Sequence, residues 1–148
     1  MAVAADIERA TDSRTDWVRE HVQRYVGSGG AEGHEWRGLP TLVLATTGRS
    51  TGEPRRTALI YGTSGEDLVV VASQGGAPED PQWYRNLQAD PQAGVLVGTR
   101  RLTARARTAS ADERGPLWER MVAIYPTYED YAARTDREIP IVLLTPED

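Results

Sequence analysis

The chain has 148 residues, 39% of them hydrophobic, enough for one domain with a single core and too few for two ordinary ones. A net charge of −5 argues against a general nucleic-acid binder, whose basic excess would gather on one face, and the lack of cysteine excludes disulfides, thiolate catalysis and cysteine-built metal sites. His21 and His34 have no close histidine partner, so no metal is expected, and no apolar run approaches the roughly 20 residues that cross a bilayer.

The opening residues, MAVAADIERATDSR, are polar and weakly patterned and read as a frayed arm or an early helical turn. Asp6 and Glu8 precede any apolar stretch, unlike a secretory signal, which gives a soluble, cytoplasmic expectation. Trp17, Val18, His21, Val22 and Tyr25 then recur at helical spacing, with Ser13, Thr15 or Asp16 as cap, and predict a helix whose apolar face packs on a sheet. His21 reads there as a packed or rim histidine rather than a ligand. Gly27 to Gly38 carries five glycines and no periodicity, which predicts a flexible connection or lid.

Two apolar, β-branched runs follow, Leu39–Thr46 and Thr57–Gly62, joined by TGRSTGEPRR. Gly48 and Gly52 permit a loop whose amides turn inward as an anion nest, Ser50 and Thr51 add neutral donors, and Arg49, Arg55 and Arg56 add forked cationic ones. The same composition also suits an ordinary hairpin loop with solvated arginines. Asp67–Ser73 is a third strand expected to pair with the second. QGGAPEDP breaks it, and a short helix from Trp83, begun by Asp80 and Pro81, ends at Asp90. Strands from Ala93 and Arg101 come next, the second alternating Leu102, Ala104 and Ala106 with Thr103, Arg105 and Arg107, a pattern that reads as one solvated face. Ser110 caps a helix carrying Leu117, Trp118, Met121, Val122 and Tyr125, and Ile139–Pro146 is the closing strand, with Pro140 at its start. The count is about six strands and three or four helices in an α+β, mainly β chain: a small antiparallel barrel with flanking helices.

Three separated blocks, TTGRSTGEPR, ASQGGAPEDPQWYRNL and the pair YPTYEDY and IPIV, resemble in order and spacing the deazaflavin-dependent nitroreductases, split β-barrel oxidoreductases that use coenzyme F-420. The resemblance runs from about Pro40 to Pro146. It makes the chain one domain, with a helical arm and connection over 1–33 and a split barrel of the flavin-reductase and FMN-binding type over 40–146. It implies that Arg49, Ser50, Thr51, Arg55, Arg56 and Thr57 meet the cofactor's anionic tail and that Ala58, Leu59 and Ile60 continue the wall. It also implies that Val71, Ala72, Ser73 and Gln74 lie beside the cofactor, that Gln82, Trp83, Tyr84, Arg85 and Asn86 close over it, and that Tyr128 sits at the ring. Better-known members have lysines where this chain has Ser50 and Gln74, and some have a tyrosine at Ile60.

The activity implied is hydride transfer between reduced deazaflavin and a conjugated small-molecule acceptor: an enone, a quinone or a nitroaromatic. Catalytic candidates are Tyr125, Tyr128, Tyr131 and Ser73. A phenol stays protonated at neutral pH and can donate, although the tyrosines also suit a role as plain helix anchors. A non-catalytic deazaflavin carrier and an FMN-dependent split barrel remain as alternatives. Split barrels commonly pair, so a homodimer stays open as a partner, as does peripheral membrane contact.

Overall fold

A computed structural model describes residues 7, 10–12, 16–36 and 38–147. The expected N-terminal arm falls largely outside them, as do Ser13 and Thr15, two of the three candidate caps. Among the described residues there are eight strands: β1 (Glu35–Trp36), β2 (Leu39–Thr47), β3 (Pro54–Ile60), β4 (Gly62–Ser64), β5 (Asp67–Val71), β6 (Gln92–Val97), β7 (Arg100–Thr108) and β8 (Ile141–Glu147). Four α-helices accompany them: α1 (Asp16–Gly27), α2 (Gln82–Ala89), α3 (Ala111–Ile124) and α4 (Thr127–Ala133).

All ladders between strands are antiparallel. From β3 the sheet runs through β2, β6, β7, β8 and β5 to β4, while β1 adds to the start of β2. Its first and last strands, β3 and β4, are consecutive in the chain and separated by Tyr61 alone, so the sheet has to curl until its ends meet. That curl is the split barrel. Gly62 makes the crossing close-packed, because a side chain there would press on Met121 Sδ of α3 at 2.8 Å.

Alternation along the strands sorts the core into layers. Leu42 and Leu44 of β2 point inside the curl with Leu68, Val70, Val95, Val142 and Leu144, where Tyr84 and Leu87 of α2 join them. Val43, Ala45 and Leu96 point outward and are covered by Val22 and Tyr25 of α1. Val69, Val71, Ile141 and Leu143 also point outward, against Leu117, Met121 and Tyr128 of α3 and α4. Burial on both faces explains why these strands read as unbroken apolar runs. On β7 the alternation is one-sided, with Ala104 buried and Arg105 and Arg107 exposed, as the sequence predicts.

Three expectations change. β5 pairs with β4 and β8 rather than with β3, because the chain after β3 crosses to the far end of the sheet before turning back. The glycine-rich stretch after α1 is a fitted strap, not a loose lid. Gly30 has φ +96° and would overlap the Gly98 carbonyl if it carried a Cβ, and the Gly33 carbonyl accepts from His21 Nε2 at 2.6 Å. Trp17 turns from the sheet to stack on Trp36, with ring centroids 5.7 Å apart, and is 58% exposed.

The start of α3 has the reciprocal cap that its sequence predicts: the Glu113 amide donates to Ser110 Oγ, and the Ser110 amide to Glu113 Oε1. Hydrogen bonds from Arg107 and then the Ser110 amide hold the Glu113 carboxyl down to about 2. This half of the cap is therefore present above the usual value of 4.5 and is lost as pH falls through about 2. Ser110→Ala should lower stability by about 1 kcal/mol in urea unfolding at neutral pH.

Candidate functional site

The split lies between β3 and the end of β5, where no ladder forms, and a groove of about 940 Å³ occupies it. Among the described residues, the outer edge of β3 meets the N-terminal segment at Thr11. The Thr11 amide donates to the Pro54 carbonyl at 2.8 Å and the Arg56 amide to the Thr11 carbonyl at 2.9 Å. Strand parity then puts the amides and carbonyls of Ala58 and Ile60 on the same edge, facing the groove beyond the reach of Thr11.

One end of the groove is cationic. Arg55 lines it, exposed, with no side-chain hydrogen bond or ion pair among the described residues. Arg56 is committed elsewhere, its Nε to Asp12 at 2.6 Å and its Nη1 to the Ile7 carbonyl at 3.0 Å, with only 11% of its side chain exposed. Burial alone would raise the Asp12 carboxyl, but hydrogen bonds from Arg56 and Gln23 and the Arg56 charge hold it below its usual range. The preceding loop spends its Gly48, Arg49, Gly52 and Glu53 amides on Glu53 O, Asn86 Oδ1, Gly48 O and Thr51 Oγ1. It is a closed hairpin clamped to α2, with Arg49 also reaching Asn86 and Gln82 through its guanidinium at 2.9 and 2.7 Å.

The other end is aromatic. Tyr125, the C-cap of α3, and Tyr128 and Tyr131 of α4 line the groove together with Trp36 and Trp17. The Tyr125 and Tyr128 rings meet edge to face at 5.0 Å, the Tyr125 and Tyr131 hydroxyls lie 3.2 Å apart, and Trp36 meets Tyr125 at 6.0 Å. Tyr128 is buried, and its hydroxyl has no hydrogen-bond partner among the described residues. Burial, followed by the neighbouring Tyr125 and Tyr131, pushes its phenol well above the ordinary 10, so it stays protonated at any physiological pH.

Between the two ends lie the turn after β5 and the start of α2. Ser73, Gln74 and Gly75 line the groove there, as do Pro81, Gln82, Trp83 and Asn86. Gln74 has φ +46° and is the one non-glycine residue at positive φ among the described residues.

The structure thus gathers Arg55, Arg56, Thr57, Ala58, Leu59, Ile60, Val71, Ser73, Gln74, Gln82, Trp83, Asn86 and the three tyrosines around one groove. Six expected site residues do not line it. Ser50 and Thr51 sit at the exposed hairpin tip, and Arg49 is taken up by α2. Ala72 is fully buried, Tyr84 packs inside the barrel with its hydroxyl 2.8 Å from Thr108 Oγ1, and Arg85 faces Glu79 at 3.5 Å. Sequence reasoning missed Thr11, Asp12, Trp17 and Trp36 as lining residues. A tryptophan inside the polar, glycine-rich GHEWRG was the one available signal.

The curled sheet with a groove at its split puts this chain among split-barrel proteins. Its residues 17–146 match the profile of the F-420H(2)-dependent quinone reductase family. An F-420H(2)-dependent quinone reductase of Mycobacterium tuberculosis is 39% identical over 132 residues, which is 86% of this chain and 89% of that one. A solved structure described as a domain-swapped dimer superposes with a TM-score of 0.69 at 35% identity, covering 89% of this chain and 99% of that one. A solved F-420-H2-dependent reductase gives 0.66 at 35% identity, covering 71% and 93%. The chain belongs to the F-420H(2)-dependent quinone reductase family: it is a deazaflavin-dependent oxidoreductase, and its cofactor is coenzyme F-420. The match begins within α1, well before Pro40, in agreement with the part that α1 takes in the groove.

The two adjacent arginines should separate in a stability measurement. Arg56→Ala leaves Asp12 half-buried without its counter-charge and should cost on the order of 2 kcal/mol in urea unfolding, below the cost of breaking a fully buried pair. Arg55→Ala should be close to neutral in the same assay.

Proposed function

We propose that the chain reduces quinones at the expense of reduced F-420 by hydride transfer in the groove between β3 and the end of β5. The observation that carries this reading is the pairing, along one groove, of an unengaged arginine at one end with a buried, protonated tyrosine at the other. The volume is near the upper end of ordinary small-molecule sites, which suits a long cofactor together with a flat acceptor. Family membership and the quinone reductase at 39% identity support the acceptor class.

When bound in its reduced form, the deazaflavin supplies the hydride. Arg55 is free to meet the anionic tail, and the open edge of β3 offers amides and carbonyls at Ala58 and Ile60. Trp36, Tyr125 and Tyr128 give a flat acceptor aromatic faces and edges to pack on. Hydride addition to a quinone leaves negative charge on an oxygen. Tyr128 is suited to donate a hydrogen bond to that oxygen, since its raised pKa keeps the proton on the phenol. Complete transfer of that proton from Tyr128 would leave a buried tyrosinate, so solvent at the groove mouth is the better final source. We further propose that the protein pairs as a homodimer, supported by the domain-swapped dimer at 35% identity.

Stopped-flow oxidation of reduced F-420 by a short benzoquinone or naphthoquinone tests the reading. The parent should oxidise the cofactor in a single turnover. Tyr128→Phe should slow that step on the order of 10- to 100-fold with F-420 affinity nearly unchanged. Tyr131→Phe should do less. Tight F-420 binding without oxidation by any quinone would make the chain a carrier, and faster oxidation by an enone or nitroaromatic would move the acceptor class.

A further inference from the structure

The turn between β5 and α2 is held from behind by a side chain that does not line the groove. Arg137, from the segment between α4 and β8, donates from Nε to the Ala77 carbonyl at 2.9 Å and from Nη2 to the Ser73 carbonyl at 2.7 Å. Its Nη1 reaches both the Ala72 carbonyl at 3.2 Å and Asp80 Oδ1 at 2.9 Å. The guanidinium is largely buried, with 15% of the side chain exposed, and Asp80 supplies its counter-charge. A lysine has a single point of charge and lacks the planar fork that lets one side chain gather three carbonyls and a carboxylate.

These bonds decide which way the neighbouring amides face. Across a trans peptide the N–H points opposite to the carbonyl before it, so fixing the Ala72 and Ser73 carbonyls toward Arg137 turns the Ser73 and Gln74 amides away from it. Neither amide has an acceptor among the described residues, and both residues line the groove. The Ser73 side chain adds a third donor: the residue is 8% exposed, and its hydroxyl has no partner among the described residues. Gln74 at φ +46° holds a left-handed conformation that a non-glycine residue keeps only where its surroundings impose it, while Gly75 beside it takes +63° freely. The Arg137 fork holds the turn from one side, alongside the Gly76 and Ala77 amides that donate to the Ser73 and Gln74 carbonyls, and from the other side α4 lies so close that a side chain at Gly76 would meet the Tyr131 carbonyl at 2.7 Å.

We propose that Arg137 is a positioning residue, holding the Ser73 hydroxyl and the Ser73 and Gln74 amides as a preformed donor cradle for the carbonyl-bearing edge of the deazaflavin ring. The inference rests on the groove being the F-420 site. Arg137 acts through the turn and touches neither cofactor nor acceptor. One fork thereby fixes two walls of the groove: the turn and, through Asp80, the approach to α2.

The test compares the parent, Arg137→Lys and Arg55→Ala in fluorescence titrations with oxidised F-420, with thermal melting of the free proteins and the absorption spectrum of the bound cofactor. Arg137→Lys should remain folded, bind F-420 roughly tenfold or more weakly, the loss expected for removing charge-assisted bonds that organise a site, and shift the bound spectrum toward that of free cofactor. Arg55→Ala should lose affinity through the tail alone and keep the parent's bound spectrum. Parent-like affinity and spectrum in Arg137→Lys would overturn the proposal while leaving the groove assignment intact. No binding of F-420 by the parent would instead remove the groove assignment itself. If Arg137→Lys does not fold, Asp80→Asn takes its place. It should shift the bound spectrum in the same direction, and an unshifted spectrum would count against the cradle.

Discussion

The sheet has to close through one residue. β3 and β4 stand at opposite ends of the strand order yet are separated in the chain by Tyr61 alone, so the sheet between them bends round until its ends meet. The bend brings β3 beside the end of β5 without a ladder between them, and this leaves an open edge. Buried strand edges need partners for their amides and carbonyls, and among the described residues Thr11 supplies them at Pro54 and Arg56. The groove is the remainder of that edge. Its shape follows from the topology before any particular side chain is considered, and the helices that cover the outer faces of the sheet supply the groove's walls.

Charge is then distributed locally against an acidic background. A net charge of −5 does not prevent an anion site, because the potential that matters is set by the few groups at the groove and by how far each is already neutralised. Arg55 and Arg56 are neighbours in sequence, yet strand alternation sends them different ways. Arg56 meets Asp12 and becomes part of the structure that holds the N-terminal segment, while Arg55 remains available. At the far end, the tyrosine cluster keeps a phenol protonated by burying it among other rings.

Much of the fold is legible in the residues. Apolar runs mark five of the six longer strands and the alternation of Leu102, Ala104 and Ala106 marks β7, Ser110 and Glu113 mark the start of α3, and the three blocks around TTGRSTGEPR, QWYRNL and YPTYEDY carry the family. What was not legible depended on partners far away in sequence. The pairing of β5 with β8 rather than β3 needs knowledge of where the chain crosses. The order in the Gly27–Gly38 strap comes from its fit to Tyr25 and Gly98, which local glycine content disguises as looseness. Arg49, Tyr84 and Arg85 read as site residues by position in a motif, but their side chains are engaged by α2, by Thr108 and by Glu79. Arg137 carried no signal at all, since an arginine in the polar segment RTDREIP looks solvated until four acceptors are seen to converge on it.

The groove at the split of this sheet is, on this reading, a deazaflavin site with its cationic end at Arg55. The most direct measurement is an equilibrium fluorescence titration of the purified protein with oxidised F-420 and with FMN, at low and at raised salt. F-420 should bind more tightly, and its binding should weaken with salt as screening reaches the exposed arginine. Tighter binding of FMN under the same conditions, or F-420 binding indifferent to both salt and Arg55→Ala, would contradict that reading.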